Sequence, residues 1–239
     1  MEYRKDARER IGDCYFIQRQ YNNAITSYNN SLKISNKNAD YAYFQQAMGY
    51  GALGKSKEKI DKLNIIVNRH LKSVFYDRAI YEIGMTHLNS NDHRSAITSF
   101  DKIIKERPRS LYARKSLMKI GMIYYNNDEN DKALERLKTI VVQYPNTEES
   151  REALNIISNI YRNNNDLQSY FDYIAENNLA QISIDKQDSL TFRNIEDFYS
   201  SKKYQQVVKG VKQYIEKYPN GAYLLKVHYY AMNSMELTN

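Results

Sequence analysis

The chain repeats itself. The segments IGDCYF at 11–16, IGMTHL at 83–88 and IGMIYY at 120–125 place Gly12, Gly84 and Gly121 one residue after an isoleucine, and Ala47, Ser158 and Ile195 continue the series. Successive members are 35 residues apart once and 37 residues apart four times. A fixed period of this size implies a stack of like units, each burying its apolar face against the next, and not a globule with one centre.

Composition narrows the kind of unit. Eight Gly and three Pro in 239 residues are too few for the turns of a sandwich or barrel, so the units are helical. With 42% apolar and 26% charged residues, the chain can bury a core. No run approaches the roughly eighteen apolar residues of a membrane span, so no membrane insertion is expected of this chain. A single cysteine, Cys14, excludes an internal disulfide and a cysteine-built zinc site.

Further slots recur around the small residue. Three places beyond it stand Tyr15, Tyr50, His87, Tyr124, Tyr161 and Phe198; twelve beyond it stand Ala24, Lys59, Ala96, Ala133, Tyr170 and Val207. Sixteen beyond it come Tyr28, Leu63, Phe100, Leu137, Ile174 and Val211, and three repeats then close on Pro108, Pro145 and Pro219, where a helix must stop. This order resembles the tetratricopeptide repeat, a helix-turn-helix unit whose two helices cross closely at a small residue. The resemblance spans the chain and is fullest from about Phe75 to Gln143. The family's tryptophan is absent; its place holds Tyr43, Ile80, Leu117 and Leu154 in the middle repeats, and Arg8 and Thr191 in the first and sixth. Repeats five and six have lost the small residues, so the period carries them. The YPN motif at Tyr144-Pro145-Asn146 and Tyr218-Pro219-Asn220 is similar to repeats of bacterial envelope proteins, the Tol-Pal-associated repeat proteins and the lipoprotein of the barrel-assembly machinery.

The resemblance implies an all-α fold: a right-handed superhelical solenoid of about six hairpins plus one closing helix. The register places first helices near 4–18, 39–54, 75–90, 110–126, 147–163, 188–201 and 221–236, and second helices near 22–35, 56–69, 94–106, 130–143, 166–177 and 204–217. A single solenoid over 1–239 is expected, with repeats near 1–38, 39–73, 74–110, 111–147, 148–187 and 188–220 and an unpaired helix in 221–239. Asn177 to Asp188 reads as a longer connector. The last helix carries Leu224, Leu225, Tyr229 and Tyr230 without a mate, which points to a piece of a longer array and to self-association through that face.

The resemblance also implies that slots three before, one after and four after the small residue face the concave side. In repeats two to four these hold Phe44, Tyr81 and Met118, then Met48, Met85 and Met122, then Gly51, Leu88 and Tyr125. Phe44, Met48, Tyr81, Met85, Leu88, Met118, Met122 and Tyr125 are the candidate peptide-binding groove, an adaptable apolar trough. Two readings stay open: the trough binds a partner, or its side chains pack neighbouring first helices together. The same slots hold Glu9, Asp13 and Phe16 in repeat one, and Asn155, Asn159 and Arg162 in repeat five.

No catalytic residue is proposed and no cofactor is called. His70, His87, His93 and His228 lack the spacing that brings two to one metal, and no phosphate loop or nucleophile elbow occurs. The sequence thus reads as a non-enzymatic scaffold or adaptor for an extended or helical protein segment, periplasmic or outer-membrane-associated, with the cytoplasm as alternative. A purely structural array segment is the second reading. A basic nucleic-acid-binding solenoid is the third, motivated by Lys102, Lys105, Arg107, Arg109, Arg114, Lys115 and Lys119 within a net charge of +7; the methionine trough argues against it, because a groove that tracks phosphates interleaves cations with its rings.

Overall fold

The computed structural model describes residues 2–237, and among them every regular element is an α-helix. In chain order these are α1 (Glu2–Ile17), α2 (Tyr21–Ile34), α3 (Asp40–Ala52), α4 (Ser56–Arg69), α5 (Tyr76–Asn89), α6 (His93–Glu106), α7 (Leu111–Asn126), α8 (Asn130–Gln143), α9 (Glu148–Asn163), α10 (Leu167–Glu176), α11 (Ile184–Ser200), α12 (Tyr204–Lys217) and α13 (Leu224–Glu236). The chain divides into two compact units, Met1–Ile140 and Val141–Asn239.

One turn recurs in both units. Seven places beyond each small residue, the backbone enters the left-handed region, at Arg19, Gly54, Asn91, Asp128, Asn165 and Lys202, with φ between 56° and 71°. The next N–H then reaches back to the carbonyl of the aromatic slot: Gln20 to Tyr15, Lys55 to Tyr50, Asp92 to His87, Glu129 to Tyr124, Asp166 to Tyr161 and Lys203 to Phe198, all at 2.8–3.0 Å. This is the Schellman closure, which satisfies carbonyls that the helix end leaves without partners. Glycine or asparagine fills the position three times, because both enter the left-handed region more readily than other residues. The chain then turns into the second helix, which Asp92 and Asp166 cap by accepting from the N–H groups of Ser95 and Ser169.

Small residues meet bulky ones as the register requires. A Cβ on Gly12 would lie 2.5 Å from the Tyr28 ring, on Gly84 2.5 Å from the Phe100 ring, and on Gly121 2.8 Å from Leu137 Cδ2. Tyr28, Leu63, Phe100 and Leu137 are wholly buried, as are Ala24, Ala96 and Ala133. Lys59, which replaces the alanine of repeat two, extends its stem along Gly51 and pairs its Nζ with Glu82 at 2.8 Å. Pro108, Pro145 and Pro219 each fall two residues beyond the last residue of α6, α8 and α12.

In the first unit, α1 to α7 form successive hairpins with apolar clusters between them. Phe44, Ala47, Leu63, Ile66, Tyr76, Ile80 and Ile103 form one, and Ala96, Phe100, Ile120 and Ile123 another. In the second unit, Phe192, Ile195, Val207, Val211, Tyr214 and Val227 gather α11, α12 and α13 around one cluster.

Two boundaries depart from expectation, one set by the Ser183 cap and the other by buried Asp188. Helix α11 begins at Ile184, not near 188, because Ser183 caps it by accepting from Lys186 N–H; the connector is therefore 177–183. Asp188, expected at the connector's end, is buried inside α11. Its carboxylate accepts from the Tyr214 hydroxyl and, at 2.9 Å, from Ala222 N–H. Tyr214 in turn accepts from Tyr223 N–H, so 221–223 are held as a turn and α13 starts at Leu224, not 221.

Candidate functional site

The trough residues all lie on the first helices of the first unit, on α3, α5 and α7. Phe44 and Met118 are buried in it. The Phe44 ring stacks on Phe75 with centroids 4.9 Å apart, and the Arg78 guanidinium covers it at 4.7 Å. The Phe44 side chain thus belongs to the packing between repeats. The other six, Met48, Tyr81, Met85, Leu88, Met122 and Tyr125, are half-buried.

Tyr81 links neighbouring clusters. Its ring lies 5.6 Å from Phe100 and 5.3 Å from Tyr112 by centroid. Met48 rests on the α3–α5 cluster that Tyr81 also touches, and Met85 and Leu88 rest with Tyr81 on the cluster of Phe100, Ile120 and Ile123. Each of these side chains has one side in the core and another open. Gly51, the remaining member of the third slot, is exposed.

The equivalent slot in the outer repeats has a different use. In the first unit Asp13 Oδ1 accepts from the hydroxyls of Tyr28, at 2.9 Å, and Tyr41, at 2.6 Å, while its other oxygen pairs with Arg10. Burial, and then the Asp13 carboxylate, push both phenols above their ordinary range. In the second unit Glu196 Oε1 accepts from Tyr230 at 2.9 Å. Asp13 and Glu196 thus tie one repeat to the next by a tyrosine hydroxyl. No rule of spacing marked this, since the donors come from other helices.

Part of the basic stretch is likewise structural. Arg107 pairs with Asp77 at 3.5 Å, donates to the Leu71 carbonyl at 2.9 Å and lies over the Tyr76 ring at 5.1 Å. Tyr76 donates to Glu106 at 2.7 Å. His87, in the aromatic slot, is half-buried with Nδ1 3.4 Å from Asp92 Oδ2. Among the described residues no three metal-binding side chains converge, and no helix is long and apolar enough to cross a membrane.

On α13, Leu225 and Tyr229 are exposed, at 89% and 61%, together with Met232. Leu224 and Tyr230 are half-buried against the cluster of Phe192, so only one side of the helix lacks cover.

The helical-hairpin array is shared with known proteins. The profile of the YfiO family, described as outer membrane lipoprotein, matches residues 74–223, well over half of the chain. The chain belongs to this family. A tetratricopeptide-repeat profile matches residues 6–38, within α1 and α2 and the turn after them. No curated protein matches the sequence. Among solved structures, a MamA protein superposes with a TM-score of 0.56 at 20% identity, over 74% of this chain and 91% of its own. The PilF protein of Pseudomonas aeruginosa does so at 0.53 and 11% identity, over 95% and 97%. A kinesin light chain-like repeat protein of Podospora anserina gives 0.51 at 14% identity, over 75% and 96%. At these identities the likeness is one of fold, the tetratricopeptide hairpin array.

Proposed function

We propose that the chain is a non-enzymatic adaptor that takes an extended or helical protein segment along α3, α5 and α7, within cell-envelope assembly. The observation that carries this reading is the recurrence of half-buried methionine at one slot, Met48, Met85 and Met122, in three consecutive repeats. Methionine is unbranched and polarizable, so a row of them repacks around different apolar side chains. Tyr81, Leu88 and Tyr125 extend the open apolar surface; Phe44 and Met118 support it from beneath.

Family membership supports an envelope location, periplasmic or attached to the outer membrane. Fractionation of the native cell checks this, and recovery of the protein from the cytosol alone would remove it. The uncovered side of α13, with Leu225, Tyr229 and Met232, is on this reading a surface for self-association, and light scattering showing a strict monomer at high concentration would refute that part.

The test of the trough is the pair Met85→Glu with Met122→Glu. Partner capture from an envelope extract should be lost while helicity and melting stay nearly unchanged. If these side chains only pack the helices together, the same pair instead destabilises the fold by about 2 kcal/mol or more, as buried unpaired charge does. A variant that keeps both its stability and its full set of partners would overturn the proposal.

A further inference from the structure

We infer that the partner of the trough is an acidic amphipathic helix whose carboxylates meet a row of cations along one edge; the inference rests on the trough being a binding surface. The trough slots of α5 and α7 belong to stripes that begin two turns earlier, running Arg78, Tyr81, Met85 on α5 and Lys115, Met118, Met122 on α7. Seven residues make nearly two full turns, so Arg78 and Lys115 share a face with Met85 and Met122, about 10 Å from them along the axis. Arg78 is exposed, and its guanidinium lies 4.7 Å over the Phe44 ring of α3. Lys115 lies 6.0 Å from the Tyr112 centroid, and that ring is 5.3 Å from Tyr81.

No carboxylate of these helices answers the cations. Helix α7 contains none. On α3 and α5, Asp40 accepts from the Ser73 hydroxyl at 2.5 Å, Asp77 pairs with Arg107 at 3.5 Å and Glu82 with Lys59 at 2.8 Å. Among the described residues, Arg78, Lys115 and Lys119, one turn beyond Lys115, take part in no ion pair. Helix stability does not account for the row either. Arg78 is third in α5 and Lys115 fifth in α7, close to helix starts where the dipole favours anions. A carboxylate brought to this edge is therefore attracted by the cations and by the helix ends together. The shape of the partner follows from the spacing. A helix with its side chains is about 10–12 Å across, so one laid over the methionines brings its flank to Arg78 and Lys115. Packed helices lie roughly 8–10 Å apart and seven residues of a partner helix advance about 10 Å, so a heptad of apolar and acidic residues keeps step with successive repeats. Single-stranded nucleic acid also seeks cations, but its bases stack on rings, and the middle row of the trough is methionine.

Three labelled three-heptad peptides of one design test this, with leucine at the core positions and glutamate, glutamine or lysine along one flank. Each is titrated with the whole chain by fluorescence anisotropy at low and high salt. At low salt the glutamate peptide should bind at least ten-fold more tightly than the glutamine peptide and the lysine peptide more weakly than both, with the gaps narrowing in high salt. Arg78→Gln with Lys115→Gln should bring the glutamate peptide to the level of the glutamine peptide, whose own affinity stays unchanged, as does the circular dichroism spectrum. Lys102→Gln with Lys105→Gln, which removes two charges from α6, should leave the preference within two-fold of that of the unaltered chain. Equal affinity for the glutamate and glutamine peptides, or a preference that the α6 pair removes as fully as the Arg78 and Lys115 pair, would overturn the acidic partner and leave the trough standing. Tighter binding of a uridine oligonucleotide than of the glutamate peptide, lost in Arg78→Gln with Lys115→Gln, would overturn it in favour of nucleic acid. No saturable binding of any peptide, or binding unmoved by Met85→Glu with Met122→Glu, would overturn the trough and its acidic partner together.

Discussion

The crossing at Gly84 is a close approach between helices where the register of the first unit can be tested sharply. At Gly84 an added Cβ would lie 2.5 Å from Phe100 Cε1, 2.8 Å from Cδ1 and 3.0 Å from Cζ, against a ring with no exposed surface. A flat, wholly buried ring cannot swing away, so Gly84→Ala should carry an overpacking penalty of about 2–3 kcal/mol. Alanine regains about 1 kcal/mol of helix propensity, leaving a net loss of about 1–2 kcal/mol. Gly121→Ala faces only the end of Leu137, at 2.8 Å from Cδ2, and should cost less. Repeat two already pairs Ala47 with Leu63, both wholly buried. Gly84→Ala combined with Phe100→Leu recreates that pair, so the double variant should be more stable than the sum of the single effects predicts, by about 1 kcal/mol. Urea unfolding followed by circular dichroism gives all three free energies. A neutral or stabilising Gly84→Ala, or strict additivity in the cycle, would refute the assignment of these two residues to one helix crossing.

Alkali should unfold the protein in a defined window. Burial, aided by the Glu106 carboxylate, pushes Tyr76 up to about 12, and burial pushes Tyr173 up to about 12; the unfolded phenol titrates near pH 10. Between those values the unfolded chain binds fewer protons than the folded one, so stability holds below about pH 10 and falls as the pH rises toward 12. Denaturation at stepped pH should show this, with a shallower alkaline limb in Tyr76→Phe. At the hairpin turn of repeat six, Lys202 is exposed in the left-handed region with φ of 57°; Lys202→Gly should raise unfolding free energy by about 0.5–1 kcal/mol in urea titration.

The helices were legible because their determinants are local and periodic. A small residue, an aromatic three places on, a bulky residue sixteen places on and a proline at the end lie within one unit, so counting finds them. Even the left-handed turn left a trace, in Gly54, Asn91 and Asn165 at one spacing. What counting missed depends on partners distant in sequence. Asp188 looked like loop because its partners, Tyr214 and the turn at Ala222, lie 26 and 34 residues away. A cavity lined by Ile195 and Gly210 is invisible for the same reason: it draws on α10, α11 and α12 together. Gly210 in mid-helix was its one local trace, where a Cβ would come within 3.1 Å of Asn165 Oδ1 and Ile195 Cγ1.

The groove slot carries the remaining argument. By sequence alone, Asp13, Asn159 and Glu196 at this slot in the outer repeats imply that stacking tolerates polar residues there, which leaves binding as the reason for methionine in the middle. The hydrogen bonds of Asp13 and Glu196 change the terms, since the slot takes part in stacking wherever a tyrosine hydroxyl reaches it. Repeats two to four place their directional contacts elsewhere, in Lys59–Glu82, Arg136–Asp101, Tyr76–Glu106 and Arg107–Asp77. Those contacts fix the helices without the slot, so a methionine there is free to change rotamer without loosening the stack. An adaptable surface requires this separation, with directional contacts made by polar pairs and the open sides of the methionines left for a partner. It also sharpens the Met85→Glu with Met122→Glu experiment, because a stable variant that no longer captures its partner follows only if the polar pairs suffice to keep the helices in place.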